Sequence, residues 1–461
     1  MNRIPLILIG FIILFSTVSA PAQTKTESTP SITPTQSQTT SKKEDLIQQF
    51  YGRTTIPDCN AQNSTGCLKN LQEKKSCEQC NLRGVSLFRS KLPDAQLKEA
   101  DMTGANLANA NLSAADLSGA ILLQADLSET NLKGGKLARA ILKGAKLDDA
   151  RLNSATLSEA DLSLASLKFT NLEGADLQKA KLIQADLLEA NMIKTNLNNA
   201  NLADADLTRA KLQKSQGHDA DFSGATLSQA DLSSSNLTRA TFKDAKLNDS
   251  NLKRSRLISA SFENANLINA NLEKADLRKA NLANANLMGA NLKGANLAGA
   301  NLSKANLSGI NLVGAILTGV DFKEANLRGA NLAGVDLEGA NLEKAKLTGA
   351  NLELVNLKSA NLEKAKLIGV NFQHSNLNNA YLIGTDPRDA NFRGANLKGT
   401  NLKGARLDRA DFTEADLVEA NLFEAHINQA IFLGADLQKA VWVNGEVCQP
   451  RSIGRCIQSS E

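Results

Sequence analysis

From Leu82 to Trp442 every fifth residue is apolar, most often Leu, and the residue two before it is nearly always small, most often Ala. Two central positions break the rule, Gly217 and Pro387, and neither shifts the phase. A period of five suits neither standard element. Five steps of about 100° carry a side chain around a helix, and an odd period puts successive repeats of a flat strand on opposite faces. If the chain instead bends after every pentapeptide, each central residue can point inward, and so can the small residue two before it. The other three positions then meet water.

Exceptions to Leu set the length of a coil, because like residues stack in successive coils. Phe is central at Phe222, Phe242, Phe262 and Phe322, and again at Phe372, Phe392, Phe412 and Phe432. Spacings within each set are multiples of twenty, and the sets are offset by an odd number of ten-residue steps, so one coil holds four pentapeptides. Thr195, Ser215, Ser235 and Ser255 follow the same spacing at the small inward position, predicting a hydroxyl column that bonds within itself. On the outside, Asn251, Asn271, Asn291, Asn311, Asn331, Asn351, Asn371 and Asn391 form another column. Stacked Asn can bond up and down where stacked Asp would repel.

These residues resemble the pentapeptide-repeat family, whose pattern A(D/N)LXX stands here as Ala285-Asn286-Leu287-Met288-Gly289. The resemblance implies an all-β solenoid, a right-handed quadrilateral β-helix over residues 81–441, with the handedness coming from the resemblance alone. About 18 coils of about 20 residues, rising ~4.8 Å each, would give a rod on the order of 85 Å long.

Both ends differ from the repeat. Met1-Asn2-Arg3, an apolar run from Ile4 to Val18 and small residues through Ala22 read as a signal peptide over 1–22. The run is short of the roughly 20 apolar residues of a spanning helix, so an uncleaved signal segment is the only membrane attachment expected. Residues 23–41, rich in Ser, Thr, Pro and Gln, read as a disordered linker. Residues 42–80 form a Cys-containing cap, with a short helix expected over Ser41–Phe50, and residues 442–461 a second cap beginning at Trp442. The expected compartment is the bacterial periplasm or an equivalent such as the thylakoid lumen.

All six cysteines lie in the caps: Cys59, Cys67, Cys77 and Cys80, then Cys448 and Cys456. An even count behind an export signal favours disulfides. Four N-terminal cysteines allow three pairings. Cys59 with Cys67 and Cys77 with Cys80 are preferred, beside Cys448 with Cys456. Zinc is the rival, since Cys77-Glu78-Gln79-Cys80 has metal-ligand spacing, but no His stands near. No metal or cofactor is expected.

Net charge is +4, with acids and bases intermixed, which fits neither a strongly basic nucleic-acid binder nor a wholly acidic surface. Of the three histidines only His218 lies at an irregularity, where Gly217 replaces a buried Leu; a dent with an imidazole at its lip competes with a tolerated bulge. Pro387 removes a backbone donor, and Arg388 stands between Asp386 and Asp389. Near the C-terminus Arg393, Lys398, Lys403 and Arg406 precede Asp408, Asp411, Glu414, Asp416, Glu419 and Glu424, setting a basic turn against an acidic one. His218, Arg388, Lys398, Lys403 and Arg406 are therefore the candidate interaction residues. Neither a glycine-rich phosphate loop nor a nucleophile elbow occurs.

The reading that results is a non-catalytic extracytoplasmic scaffold, a monomeric rod that holds a protein or an envelope component and binds no nucleic acid. One alternative follows from the resemblance: some family members mimic duplex DNA against type II topoisomerase. That role needs a strongly acidic face and a cytoplasmic address, and the sequence offers neither. An enzyme or ligand-binding protein with its site at Gly217-His218 is the third reading.

Overall fold

The computed structural model describes residues 64–458. The chain divides into two units, Met1–Thr55 and Ile56–Glu461, and every described residue belongs to the second. The signal peptide, the linker, the helix expected over Ser41–Phe50, and Cys59 lie outside the described residues.

Bending after each pentapeptide produces one repeated backbone unit. In the unit centred on Leu277, the Leu277 amide donates to the Asn296 carbonyl (2.7 Å) and the Lys279 amide to the Ala298 carbonyl (3.0 Å). The Ala280 amide closes the turn onto the Leu277 carbonyl (3.0 Å), and Lys279 holds a left-handed φ of 57°. The residue before the centre bonds in the other direction, as Asn281 does to the Ala260 carbonyl (2.9 Å). Parallel bridges therefore pair residue i with i+20, from Ser76 with Gln96 to Asn421 with Val441. Each pentapeptide contributes a single bridged residue between turns, so the ladder is built of rungs, without extended strands.

With this register the central residues fall into four columns, called sides after their order in the chain. Side one carries Leu82 and Met102, side two Leu87 and Leu107, side three Leu92 and Leu112, and side four Leu97 and Leu117. The centres and the small residues before them are buried almost throughout. Phe222, Phe242 and Phe262 stack on side one with ring centroids 4.9 and 4.8 Å apart, and Phe372, Phe392, Phe412 and Phe432 stack on side three at 4.9, 4.8 and 5.1 Å. The rings thus measure the coil spacing, and the two stacks lie on opposite sides as their ten-residue offset requires.

The Asn column bonds upward and downward over part of its length, as expected there. Asn271 Nδ2 donates to Asn251 Oδ1, Asn291 to Asn271, Asn351 to Asn331 and Asn371 to Asn351. Each Oδ1 also accepts the amide two residues on, as Asn271 does from Glu273 (3.1 Å), so the side chain fastens its own turn and the next coil together. The hydroxyl column differs from expectation. Thr195, Ser235 and Ser255 each donate to the carbonyl three residues back, at 2.7, 2.5 and 2.6 Å, and Ser215 Oγ is buried with no partner among the described residues. The members that bond do so singly, each to the carbonyl of its own turn.

The ladder begins at Ser76, one pentapeptide before residue 81. Cys77 occupies a central position and Cys80 the small inward position, and the Cys77–Cys80 disulfide lies inside the first repeat. Before it, helix α1 (Ser64–Lys74) turns Cys67 and Leu71 inward, four residues apart on one face, and ends where Lys75 goes left-handed. Cys67 is disulfide-bonded as well, and its partner lies outside the described residues. At the other end Cys448 and Cys456 pair, and the chain reverses to bridge antiparallel, Asp436 with Ile453 and Val441 with Val447. Trp442 keeps the repeat's phase and packs edge-on against Phe432, centroids 5.4 Å apart.

The inward and outward assignments separate two substitutions in one pentapeptide. Ala295 is fully buried and Lys293 is exposed. Ala295→Leu should therefore lower the denaturation midpoint, overpacking costing roughly 1–3 kcal/mol, while Lys293→Leu leaves it nearly unchanged. Equal midpoints would refute the assignment.

Candidate functional site

The turn that carries His218 keeps its rungs. Gln216 bridges both Asn196 and Asn236, and the Gly217 amide donates to the Asn236 carbonyl (2.8 Å), so there is no bulge. Nor is there room for a dent, because a β-carbon added at residue 217 would lie 2.9 Å from Leu237 Cδ2. Leu237, one coil on, has leaned into the space of the missing side chain. What remains is a surface cluster: Arg239 grips Asp219 through Nε to Oδ1 (2.8 Å) and Nη2 to Oδ2 (2.7 Å). His218 Nδ1 lies 2.6 Å from Asp219 Oδ2 and 3.2 Å from Arg239 Nη2. It can donate to the first or accept from the second, and the imidazole's protonation decides which. The Arg239 guanidinium, with His218 adding to it, holds the Asp219 carboxyl below the usual carboxylate range.

The other candidates are dispersed over the coil. Arg388 and Arg406 lie on side two, Lys403 on side one and Lys398 on side four; His218 is also on side four, but nine coils earlier at twenty residues per coil. They do not form one surface. Arg388 is committed to Asp386 through two bonds, Nε to Oδ1 (2.7 Å) and Nη2 to Oδ2 (2.8 Å). Pro387 costs one rung, since it has no amide to offer the Arg406 carbonyl, and the Asp386–Arg406 bridge is absent from the ladder. The basic turn meets the acidic one by pairing across coils. Arg393 lies 3.9 Å from Asp411, Lys403 lies 3.8 Å from Glu424 and over the Phe423 ring, and Arg409 grips Asp389 at 2.6 Å.

His374 and His426 stand on sides three and two, so the histidines do not converge. A shallow polar depression of about 430 Å³ on side three, lined by Lys133, Asn153, Ser154, Glu173, Gly174 and Lys194, is remote from all of them in register. Cys67, Cys77 and Cys80 bring their sulfurs within 4.8 Å of one another, which is ligand-like crowding, yet each is in a disulfide. The sequence missed the rule by which charges pair. Arg239 with Asp219, Lys253 with Glu273, Lys323 with Glu343 and Lys439 with Glu419 all join positions twenty apart. That signal was available once the coil length was known.

Rungs at i to i+20, a filled interior and chemistry confined to the outer sides define a β-helical solenoid. The family model for pentapeptide repeats matches in eight copies, at residues 80–119, 105–144, 145–182, 255–294, 295–334, 336–373, 371–409 and 405–441, and a pentapeptide repeat region model matches 175–252. The chain belongs to the pentapeptide repeat family, whose solenoid is a right-handed β-helix. Among solved structures it is similar to the pentapeptide repeat protein Rfr23 of the cyanobacterium Cyanothece 51142, at 33% identity over 25% of this chain and 92% of that one, TM-score 0.25. It is also similar to HetL of Nostoc sp. strain PCC 7120, involved in heterocyst differentiation regulation, at 28% identity over 56% and 92%, TM-score 0.19. A third is a pentapeptide repeat protein of the Arabidopsis thaliana thylakoid lumen, at 39% identity over 22% and 68%, TM-score 0.18. No curated protein matches the chain.

The cluster at Asp219 predicts a pH dependence. A carboxyl whose folded pKa is depressed contributes stability above its ordinary value and loses it as pH falls through the folded one. Asp219→Asn should therefore lower the denaturation midpoint near neutrality, by the small margin of exposed pairs, and the gap to wild type should close in acid. A gap that stays constant from neutral to acid pH would show that the pair contributes nothing.

Proposed function

We propose that the protein is a non-catalytic extracytoplasmic scaffold, a rod whose outer sides hold a protein or an envelope component. The observation that carries this reading is the division between inside and outside. The interior is filled by Leu, Ala and stacked Phe, so a partner can meet only the sides, and solenoids present extended surfaces of this kind. The finer architecture, four flat sides and about 18 coils over residues 81–441, rests on the i to i+20 register and on the ~4.8 Å spacing of stacked coils. Export is supported by the signal-like run at Ile4–Val18 and by the cap disulfides Cys77–Cys80 and Cys448–Cys456, which persist in oxidising compartments. Dispersal of Arg388, Lys398, Lys403 and Arg406 over three sides favours recognition by the side of a coil stack over recognition by one basic patch.

The test is fractionation of the native host followed by crosslinking and pull-down of the tagged full-length chain. Recovery outside the cytoplasm with a defined envelope partner is the expected result. Recovery in the cytoplasm with a type II topoisomerase would overturn both the export and the scaffold readings in favour of DNA mimicry.

A further inference from the structure

The parallel ladder between Ser76 and Val441 has two gaps among the described residues. One is Asp386–Arg406, which Pro387 explains. The other is Ile316–Asp336, where no proline stands. Around this second gap the loss is wider. On side three, Leu292 and Gly294 make no close bond to the Asn311 and Val313 carbonyls, nor Asn311 to the Ala290 carbonyl, although Asn291 and Asn311 still pair in the ladder. Gly289 on side two and Gly314 on side three likewise lack bonds to the Ser308 and Ala333 carbonyls. On side four of the next junction, Leu317 and Gly319 do not bond to the Asp336 and Glu338 carbonyls, nor Asp336 to the Ala315 carbonyl. Side one stays fastened through both junctions: Leu282 donates to Asn301, Leu302 to Asp321 and Lys304 to Lys323, at 2.7, 2.7 and 2.8 Å.

The interior supplies a cause. At each opened junction a β-branched residue replaces the usual Ala of the upper coil, directly over an Ala of the lower: Ile310 over Ala290, and Val335 over Ala315. The missing bonds from Asn311 to Ala290 and from Asp336 to Ala315 lie beside these pairs; the second coincides with the lost Ile316–Asp336 rung, and the first leaves the Asn291–Asn311 rung in place. Ala290 and Ala315 are 5% and 7% exposed, where most inward Ala are sealed. Milder cases calibrate the effect: Val320 stands over Ala300 and Val370 over Ala350, and the Asp321 and Asn371 amides still reach the Ala300 and Ala350 carbonyls at 3.0 and 3.1 Å, so Val alone over Ala can be borne. Where Val355 stands over Val335, both levels are widened together and the rung survives at 3.0 Å.

The exterior offers little to offset the wedge. Asn311 Nδ2 does not reach Asn291, nor Asn331 Nδ2 Asn311, although the same column is bonded below and above. Ile316 takes the place of the usual Asn or Asp, so the Thr318 amide has no side-chain acceptor two residues before it. Val313 and Ile316 are 40% and 50% exposed.

We infer that the half-coil from Ile310 to Val320 is a one-sided hinge, at which the stack loosens mainly on sides three and four while side one holds. Two stiffly laddered segments, one on each side of it, then articulate, which holds whatever the rod binds. Bonds that survive on side one while those across the coil weaken set the direction of bending, and nearest-neighbour contacts confine the motion to these coils.

Hydrogen exchange of the full-length chain, followed by mass spectrometry, tests this. Peptides covering 289–294 and 314–319 should exchange on the order of ten times faster than those covering side one of the same coils, 281–285 and 301–305. In the double variant Ile310→Ala, Val335→Ala the fast peptides should slow to the side-one rate, and Val355→Ala should leave them fast. Uniform protection in the wild type overturns the hinge without recourse to any variant. A folded double variant whose seam peptides remain fast overturns the wedge as its cause.

Discussion

The structure depends on how closely one coil can sit on the next. Rungs such as Leu277 to Asn296 at 2.7 Å exist only if the side chains beneath them permit a rise near the 4.8 Å of the Phe stacks. Leu can fill the middle of the lumen, but the position two before it faces its own copy one coil away, and there Ala fits. Each buried Leu contributes roughly 1.5–3 kcal/mol, yet that gain is realised only while the small position lets the backbone close. The outcome at Ile310 and Val335, where the small residue grows and the amide beside it loses its close bond to the coil below, is the same constraint seen from its failure.

The exterior follows from the interior. A ladder in strict register sets every outward residue over residue i+20, so columns decide which side chains meet. Asn works in the bridged position because one oxygen can accept its own turn's amide while its nitrogen donates to the coil below. Charges at the turn positions likewise find partners one coil away, as Lys253 finds Glu273 at 2.8 Å and Arg409 finds Asp389 at 2.6 Å. The near-balance of acids and bases along the sequence is thereby converted into local pairs. A partner approaching a side meets a surface that has already answered much of its own charge.

Most of the fold was legible because the repeat states it twice, in the Leu period and in the Phe spacing. The C-terminal disulfide and the Cys77–Cys80 pair were legible from cysteine arithmetic. What escaped had weaker signals. The left-handed residue of each turn is occupied by Lys, Glu, Asn, Arg or Asp as readily as by Gly, so composition does not announce it. The helix at Ser64–Lys74 is short and its apolar face narrow, and the better-capped segment near Ser41 drew the assignment away from it. Cys77 stands five before Leu82, so the start of the ladder at Ser76 could have been read, but a cysteine in a Leu position looked like the end of the pattern. His218 stood beside an expected bulge or dent because a sequence does not show that Leu237 can lean across and leave the rungs in place.

That last case bears on where function can reside. In a stack with nearest-neighbour contacts, a departure from the repeat is absorbed by the coil beside it: Leu237 fills the space left at Gly217, and the rest of the ladder closes around the single rung lost to Pro387. Departures that the neighbours absorb leave the surface regular, and they argue for tolerance. At Ile310 and Val335 the departures are not fully absorbed, because the added carbons lie in the one dimension the stack cannot yield without stretching its backbone bonds, and beside Val335 a rung is lost. Departures at Val320, Val355 and Val370 keep their rungs, so the two at Ile310 and Val335, which cost backbone bonds, put a mechanical difference where the rest of the stack has none.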